Sequence, residues 1–251
     1  MPDTPTAPRR GLTGTALKLI AVVTMFLDHI GAAVLESTAI WLILDDTAAP
    51  GAIDYLFNSP ALEAVRSADL VLRSIGRISF PIFCFLLVEG FLHTRNLRKY
   101  LCRLAVFAVL SEVPFDLAFS EYWYDPYAQN IFFTLLLGML AMACLGRFGD
   151  RSLPGLLLAL GCIGLGELLR VDYGGFGVAL ILIFYLLRDR KILRTAAGAL
   201  SLCWENPAPL AMVPLWFYNG ERGRSLPKYF FYAFYPVHLL FLCAVRAVML
   251  L

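Results

Sequence analysis

Long apolar stretches separated by short segments that carry most of the charge dominate this chain. Many of them approach the roughly 20 residues that an α-helix needs to cross the hydrocarbon core of a bilayer. These stretches are residues 12–35, 78–93, 100–119, 130–146, 153–169, 174–187, 192–204, 207–218 and 229–250. The pattern predicts an all-α, polytopic integral membrane helix bundle with about nine transmembrane helices, of which the shorter ones are tilted, broken or re-entrant.

One connection is much longer than the others and covers residues 36–77. Within it, apolar residues between Ser59 and Ile75 fall roughly on one helical face, which favours a helix lying on the outer membrane surface. Residues 1–11 form a polar amino-terminal tail, and no internal repeat divides the remainder. We therefore expect a single transmembrane domain over residues 12–251.

Lys and Arg residues concentrate in alternate connections, which indicates the orientation of the chain because cytoplasmic loops retain positive charge. The basic connections contain Arg9 and Arg10, Arg95 to Lys99, Arg147 and Arg151, Arg188 to Arg194, and Arg222 to Lys228. With nine spans these segments all lie on one side. The amino terminus is therefore predicted to be cytoplasmic and the carboxyl terminus to lie outside.

Composition supports a membrane environment and excludes other classes. The chain is 59% hydrophobic and 16% charged, with a mean hydropathy of +0.71, whereas soluble domains are more polar. The basic residues form no concentrated patch, so membrane lipids are expected partners and nucleic acid is not. Six cysteines are scattered singly through apolar stretches and are interpreted as small hydrophobic residues.

The three histidines all lie within or beside apolar stretches that carry other ionisable residues. Ionisable groups at membrane depth are costly and usually mark a pathway or a reacting centre. In the first span, Lys18 and His29 are separated by ten mostly apolar residues, about 16 Å along a helix. An imidazole beside Asp28 can exchange a proton near neutral pH, as a general base must. The alternatives are that His29 only packs and that Lys18 only reaches the interface.

A second group follows the second span. Glu89 and His93 lie four residues apart and share a helical face, a spacing that also suits two metal ligands. No third ligand follows at a fixed spacing, so we expect no metal. The neighbouring cations can bind phosphates through charge-assisted hydrogen bonds or can serve only to orient the chain in the membrane. They are Arg95, Arg98, Lys99 and Arg103.

Carboxylates mark the outer side. Glu112 and Asp116 are predicted to face Asn130, although pairing with Arg77 or capping of a helix would explain them equally well. Asp172 precedes a glycine-rich stretch that follows no strand, so a turn or close helix packing is preferred to a phosphate loop. The last span places further polar groups in its inner half, namely Lys228, Tyr232, Tyr235 and His238.

Motifs in this order make the chain resemble the TraX family of membrane proteins, whose founding member N-acetylates an F-type conjugative pilin. The resemblance is carried by Leu17–Met25, Asp28–Gly31, Arg77–Pro81, Glu89–Arg95, Ser111–Asp116, Asn130–Thr134, Asp172–Gly177 and Tyr229–His238. Lys18 and His29 also match a basic-residue, ten-spacer, histidine pattern of the broader membrane acyltransferase superfamily, in which the histidine is regarded as catalytic.

The resemblance implies an acetyltransferase of the bacterial inner membrane that uses acetyl-CoA from the inner side and acts on an amine or hydroxyl. The expected acceptor is a pilin or a surface glycan. By that resemblance His29 is the catalytic candidate. From the residues themselves we expect Asp28, Lys18, Glu89 and His93 to act with it. The residues expected to hold the donor are Arg95, Arg98, Lys99, Arg103, Lys228, Tyr232 and His238, and those expected on the acceptor side are Arg77, Glu112, Asp116, Asn130 and Asp172.

Two other functions fit the same residues. A proton-coupled transporter could relay protons through Asp28, His29, Glu89, His93 and Glu112, although no inverted repeat is visible. A noncatalytic membrane assembly factor would leave the embedded charges unexplained.

Overall fold

A computed structural model describes residues 10–40, 59–120, 122–224, 227 and 229–249. Within these ranges the chain is helical and contains no β-strand, which confirms the all-α prediction. The α-helices are α1 (Gly14–Ile30), α2 (Pro60–Gly76), α3 (Ser79–His93), α4 (Leu97–Phe119), α5 (Ile131–Phe148), α6 (Leu153–Leu168), α7 (Gly174–Leu186), α8 (Lys191–Ser201), α9 (Met212–Trp216) and α10 (Phe230–Met249). A π-helical turn, Gly31–Leu35, prolongs α1.

In the described part of the chain, four helical stretches are long and apolar enough to cross a membrane. They are Gly14–Ile40, Pro60–His93, Ile131–Phe148 and Phe230–Met249. Helices α6 and α7 are apolar but shorter, and α4 is long but carries more charge. The finding supports a membrane protein with fewer clear spans than the nine predicted from the sequence.

The stretch at residues 207–218, one of the short spans expected to be tilted, broken or re-entrant, is broken. This segment forms a short 3₁₀ turn, Ala208–Ala211, followed by the five-residue helix α9, which is too short to cross a bilayer. Prolines explain the break, because Pro207, Pro209 and Pro214 lack the backbone N–H that a continuous helix needs.

Helices α8 and α9 instead form a hairpin. They pack against each other, and the ammonium of Lys191 lies 4.3 Å from the ring centroid of Trp216, so the two ends of the hairpin meet. The chain therefore returns to the side from which it entered. This geometry keeps the basic segments 188–194 and 222–224 together even though the hairpin does not supply two full spans.

The long connection contains α2, as the sequence predicted, but residues 41–58 lie outside the described residues. Helix α2 packs closely against α1, and Gly76 makes this contact possible. A Cβ at Gly76 would lie 2.1 Å from the Cβ of Asp28. The close approach brings α2 side chains onto the face of α1 that carries Asp28.

The amino-terminal end of α1 is fixed by a distant part of the chain. Thr13 caps the helix by accepting a hydrogen bond from the N–H of Ala16 at 3.2 Å. The hydroxyl of Thr15 then donates to the carbonyl oxygens of Arg222 and Arg224 at 2.9 and 2.7 Å. The connection before α10 thus closes over the start of α1.

Candidate functional site

A cavity of about 850 Å³ runs along α1 inside the bundle. Its lining extends from Gly14 to Glu36, which corresponds to about 33 Å of helix and is close to the thickness of a hydrocarbon core. The other walls come from α2, α3, α4, α5, α10 and the connections between helices. Its volume lies in the range of ligand-binding cavities.

His29 lines this cavity and is hydrogen-bonded to His238. The Nδ1 atom of His29 lies 2.6 Å from Nε2 of His238, and Nδ1 of His238 lies 2.8 Å from the carbonyl oxygen of Phe234. Rings of Phe119 and Tyr235 flank His29 with centroid distances of 5.3 and 5.9 Å. The first and last helices therefore meet through a pair of imidazoles in an aromatic environment.

Asp28 has a different partner from its sequence neighbour. Its Oδ2 accepts a hydrogen bond from Nη1 of Arg73 at 2.6 Å, and Nε of Arg73 lies 3.2 Å from Glu36. Arg73 thus links two carboxylates that lie about two helical turns apart beside the cavity. Asp28 is placed to fix α2 against α1 and to set the charge near His29. The role predicted for it from the sequence stays a prediction.

A second ion pair lies nearby. Nη1 of Arg77 is 2.7 Å from Oε1 of Glu205, whose side chain is only 9% exposed. Glu205 lies at the turn of the α8–α9 hairpin, so the hairpin reaches into the bundle and meets the start of α3. Its other oxygen, Oε2, is buried with no hydrogen-bond partner among the described residues.

Asp172 lines the cavity beside this pair. Burial, together with the charges of Asp28 and Glu205, raises the pKa of Asp172 to about 7. Tyr173 follows it with its ring stacked on Phe80 at a centroid distance of 3.7 Å. A carboxyl with this pKa can hold or release a proton near neutral pH. We call this region, lined by Asp28, Glu36, Arg73, Arg77, Asp172 and Glu205, the Arg73 end of the cavity.

The opposite region, the Lys18 end, is lined by Gly14, Lys18, Glu89, His93, Tyr218 and Arg222. The hydroxyl of Tyr218 donates to Oε2 of Glu89 at 2.9 Å, and the Lys18 ammonium lies 5.4 Å from the ring centroid of Phe231. His93 contacts the backbone carbonyl of Glu89 rather than its carboxylate. Glu89 and His93 therefore share the cavity wall without forming a side-chain pair.

Tyr100 and Tyr232 also line the cavity, and Tyr232 interacts with Tyr100 and with Arg103. Arg103 itself lies behind this wall, with its guanidinium carbon 5.3 Å from the Tyr100 ring centroid. The remaining cations predicted to bind the donor are exposed and do not line the cavity, namely Arg95, Arg98 and Lys99. Lys228 lies outside the described residues.

Three residues predicted on the acceptor side lie away from the cavity. Asn130 caps α5, where its Oδ1 accepts from the N–H of Phe132 at 3.0 Å and its amide donates to the carboxylate of Glu112. Asp116 accepts a hydrogen bond from the N–H of Asp125 at 3.0 Å. The alternative of a helix cap therefore describes Asn130, and the alternative of a pair with Arg77 is wrong because Arg77 binds Glu205.

Glu205 and Arg73 are two of the cavity residues that were not predicted as site residues, and Glu36, Tyr218 and Arg222 are others. A usable signal existed for Glu205, since it is an acidic residue between two short apolar stretches, where ionisable groups usually have a partner or a function. Arg73 carried no such signal because its segment was predicted to lie on the outer membrane surface. His238 was predicted on the donor side, whereas the structure places it against His29.

Comparisons with known proteins give a consistent family. The family described as TraX protein matches residues 13–246. The chain is 30% identical to the probable fimbrial assembly protein FimC, serogroup H1, of Dichelobacter nodosus, over 92% of this chain and 94% of that protein. No solved structure matches the chain. The motifs predicted to carry the resemblance lie within the matched range, and the chain belongs to the TraX family.

Proposed function

We propose that this protein is an integral membrane acetyltransferase that moves an acetyl group from acetyl-CoA to an amine or hydroxyl of a pilus-related or other surface molecule. The observation that carries the proposal is His29, an imidazole hydrogen-bonded to a second imidazole and lining a cavity that also holds Lys18. A cavity along α1 would allow a donor and an acceptor to approach one base from opposite ends.

In the proposed reaction, His29 accepts a proton from the acceptor while the acceptor nitrogen or oxygen attacks the thioester carbonyl carbon. A new C–N or C–O bond forms and the C–S bond breaks. The proton held by His29 then passes to the departing thiolate, which leaves as coenzyme A. The overall reaction needs no oxidant or reductant, and His29 returns to its starting form.

The donor is proposed to enter at the Lys18 end. Lys18 and Arg222 both line the cavity there, and cations bind phosphate groups well where water is partly excluded. Tyr100 and Tyr232 lie farther along the wall and can donate hydrogen bonds to a thioester carbonyl. The exposed cations Arg95, Arg98 and Lys99 can attract the donor before it enters.

The acceptor is proposed to approach from the Arg73 end, where Asp172 and Glu205 supply negative charge for an amine. The printed name of the relative FimC, a probable fimbrial assembly protein, favours a fimbrial or pilus subunit as the acceptor. A surface glycan is the alternative acceptor because the reaction itself accommodates a hydroxyl. The proposed location is the bacterial inner membrane, with the amino terminus in the cytoplasm.

The test is acetyl transfer by purified protein in lipid nanodiscs supplied with acetyl-CoA labelled in the acetyl group and with envelope extract or pilin from the source cells. We expect labelled acceptor with wild type and a loss of about 100-fold or more with His29→Ala. The matched control is Val23→Ala, since Val23 lies on the same helix and is 56% exposed. Transfer by His29→Ala at the wild-type rate would contradict the proposed role of His29.

A proton-coupled transporter is the second candidate, because titratable groups follow the cavity from Glu89 and His93 to His29 and Asp172. The same nanodisc protein distinguishes the two functions in liposomes. Uptake of a solute driven by a proton gradient, with no binding of acetyl-CoA, would favour transport. Binding of acetyl-CoA with no gradient-dependent flux would favour the transferase.

A further inference from the structure

The two imidazoles that join α1 and α10 differ in their surroundings, although they share one hydrogen bond. His238 is 4% exposed and lies behind the wall, whereas His29 lines the cavity. The planes of the two rings differ by 4°. The ring centroids are 4.9 Å apart, and the bonded nitrogens are 2.6 Å apart. The difference is about the width of one imidazole ring, as expected when each bonded nitrogen lies on the line between the two centroids. The rings therefore lie edge to edge in nearly one plane, as an N–H···N hydrogen bond requires.

The carbonyl oxygen of Phe234 determines where the protons lie. A carbonyl can only accept, so the Nδ1 atom of His238, 2.8 Å away, carries a hydrogen. A charged imidazolium would be costly at this depth, where the ring centroids of Phe234 and Phe26 lie 4.8 and 6.0 Å from that of His238. Neutral His238 then presents its Nε2 as an acceptor, and the hydrogen in the shared bond belongs to Nδ1 of His29.

We infer that His238 is a positioning residue that holds His29 in its Nδ1–H form and leaves the lone pair of His29 on Nε2, the nitrogen that a substrate in the cavity can reach. The partner of a functional histidine commonly sets its proton position in this way. Only the kinetic part of the inference rests on the proposed function. The proton positions can be measured whether or not the protein transfers acetyl groups.

The primary experiment is nitrogen NMR of the full chain labelled with ¹⁵N-histidine in nanodiscs. With three histidines, single substitutions assign every ring signal. We expect wild-type His29 to show a protonated Nδ1 and an unprotonated Nε2. In His238→Leu, which has no acceptor, the His29 signals should move toward the Nε2–H form that free histidine prefers. Wild-type signals of the Nε2–H form, or signals unchanged in His238→Leu, would overturn the inference.

The conservative variant separates positioning from packing. In His238→Gln the amide oxygen can accept from Nδ1 of His29 while the amide N–H₂ donates to Phe234, so the His29 signals should stay near wild type. With labelled acetyl-CoA, His238→Leu should lower kcat by about 10- to 100-fold with little change in KM, and His238→Gln should recover most of that loss. Val237→Ala, at a neighbouring position that is 62% exposed, controls for changes in α10.

The outcomes distinguish the two claims. If neither the wild type nor any variant transfers acetyl groups but the NMR signals are as expected, the proposed function fails and the positioning role stands. If acetyl transfer is robust and His238→Leu retains wild-type kcat, the positioning role fails and the transferase stands. Should His238→Leu not fold, the wild-type and His238→Gln spectra still decide the proton positions.

Discussion

At the Arg73 end of the cavity charged side chains pair directly with one another, whereas at the Lys18 end they contact aromatic rings and hydroxyl groups. Arg73 and Arg77 bind Asp28 and Glu205 at 2.6 and 2.7 Å. Among the described residues no salt bridge occurs at the Lys18 end. Ion pairs fix the helices that carry them, while cations without carboxylate partners remain able to bind an anionic ligand. The comparison suggests a rigid end and a ligand-binding end.

The largest effect is expected from breaking the ion pair whose carboxylate is the more buried. Arg77→Leu removes the partner of Glu205, whose side chain is 9% exposed. Loss of one partner costs about 3–5 kcal/mol in a fully buried pair, and less here because Arg77 is itself 32% exposed. We expect a clear fall in the thermal unfolding temperature in detergent. The double variant Arg77→Leu/Glu205→Gln should recover much of the loss because the unpaired charge is removed.

The matched control is the pair between Arg188 and Asp150, because the arginines of the two pairs are similarly exposed while the Asp150 side chain is 32% exposed and that of Glu205 is 9% exposed. More exposed pairs contribute only about 0–1 kcal/mol, so Asp150→Asn should change the unfolding temperature little. If Asp150→Asn lowered the unfolding temperature as much as Arg77→Leu, the burial of the carboxylate would not explain the stabilising effect of the pair at the Arg73 end.

The second effect concerns the contact between α1 and α2. Gly76→Val introduces atoms where a Cβ would already lie 2.1 Å from Asp28, so the helices must separate and the pair with Arg73 must stretch. Overpacking of this kind costs about 1–3 kcal/mol. Thermal unfolding measures the loss. Gly161→Val is the control because a Cβ at Gly161 meets no atom within 4 Å, and equal losses in both variants would contradict the tight contact.

The third effect concerns the Lys18 end. Lys18→Met should raise KM for acetyl-CoA by about tenfold, the loss expected from one charge-assisted hydrogen bond, with a smaller change in kcat. Initial rates at several ionic strengths measure it. Arg98→Gln is the comparison, since Arg98 is exposed and does not line the cavity. If KM for acetyl-CoA rose more in Arg98→Gln than in Lys18→Met, the donor would bind at the exposed cations that include Arg98 and not at the Lys18 end.

The last effect is a pH dependence at the Arg73 end. Asp172 titrates near 4 when unfolded, and its folded pKa is raised to about 7, so between these values the folded protein binds more protons at this site. This carboxyl therefore makes the free energy of unfolding fall as the pH rises from about 4 to about 7. Asp172→Asn should flatten that fall in pH-dependent thermal unfolding. The control is Asp189→Asn, because the Asp189 side chain is 89% exposed. If the unfolding temperature of Asp172→Asn changed with pH as steeply as that of the wild type, the prediction would be contradicted.

Several elements of the fold could be predicted from the sequence because their apolar stretches are long and uninterrupted. Helices α3, α5 and α10 begin and end within a few residues of their predicted bounds. The segment 207–218 was expected to be tilted, broken or re-entrant because it is short, and its three prolines divide it into a 3₁₀ turn and a five-residue helix. A single internal proline is tolerated, since α4 and α10 stay continuous around Pro114 and Pro236. The closely spaced prolines of residues 207–218 are what break that segment.

The site was predictable only in part for a related reason. Ionisable residues within apolar stretches indicated His29 and Lys18, and both line the cavity. Which groups pair with one another depends on helix rotation and on contacts between distant segments. The contacts of His29 with His238 and of Arg77 with Glu205 span 209 and 128 positions and have no local sequence signal. Glu112 and Asn130 were correctly expected to face each other, yet they lie away from the cavity.

The 209 positions between His29 and His238 also bear on how the protein is made. During translation His29 is synthesised early, whereas His238 is synthesised only when the chain is nearly complete. The hydrogen bond between them cannot exist in a nascent chain that stops before α10. Completion of synthesis therefore precedes assembly of the imidazole pair, and a prematurely terminated product would reach the membrane without it.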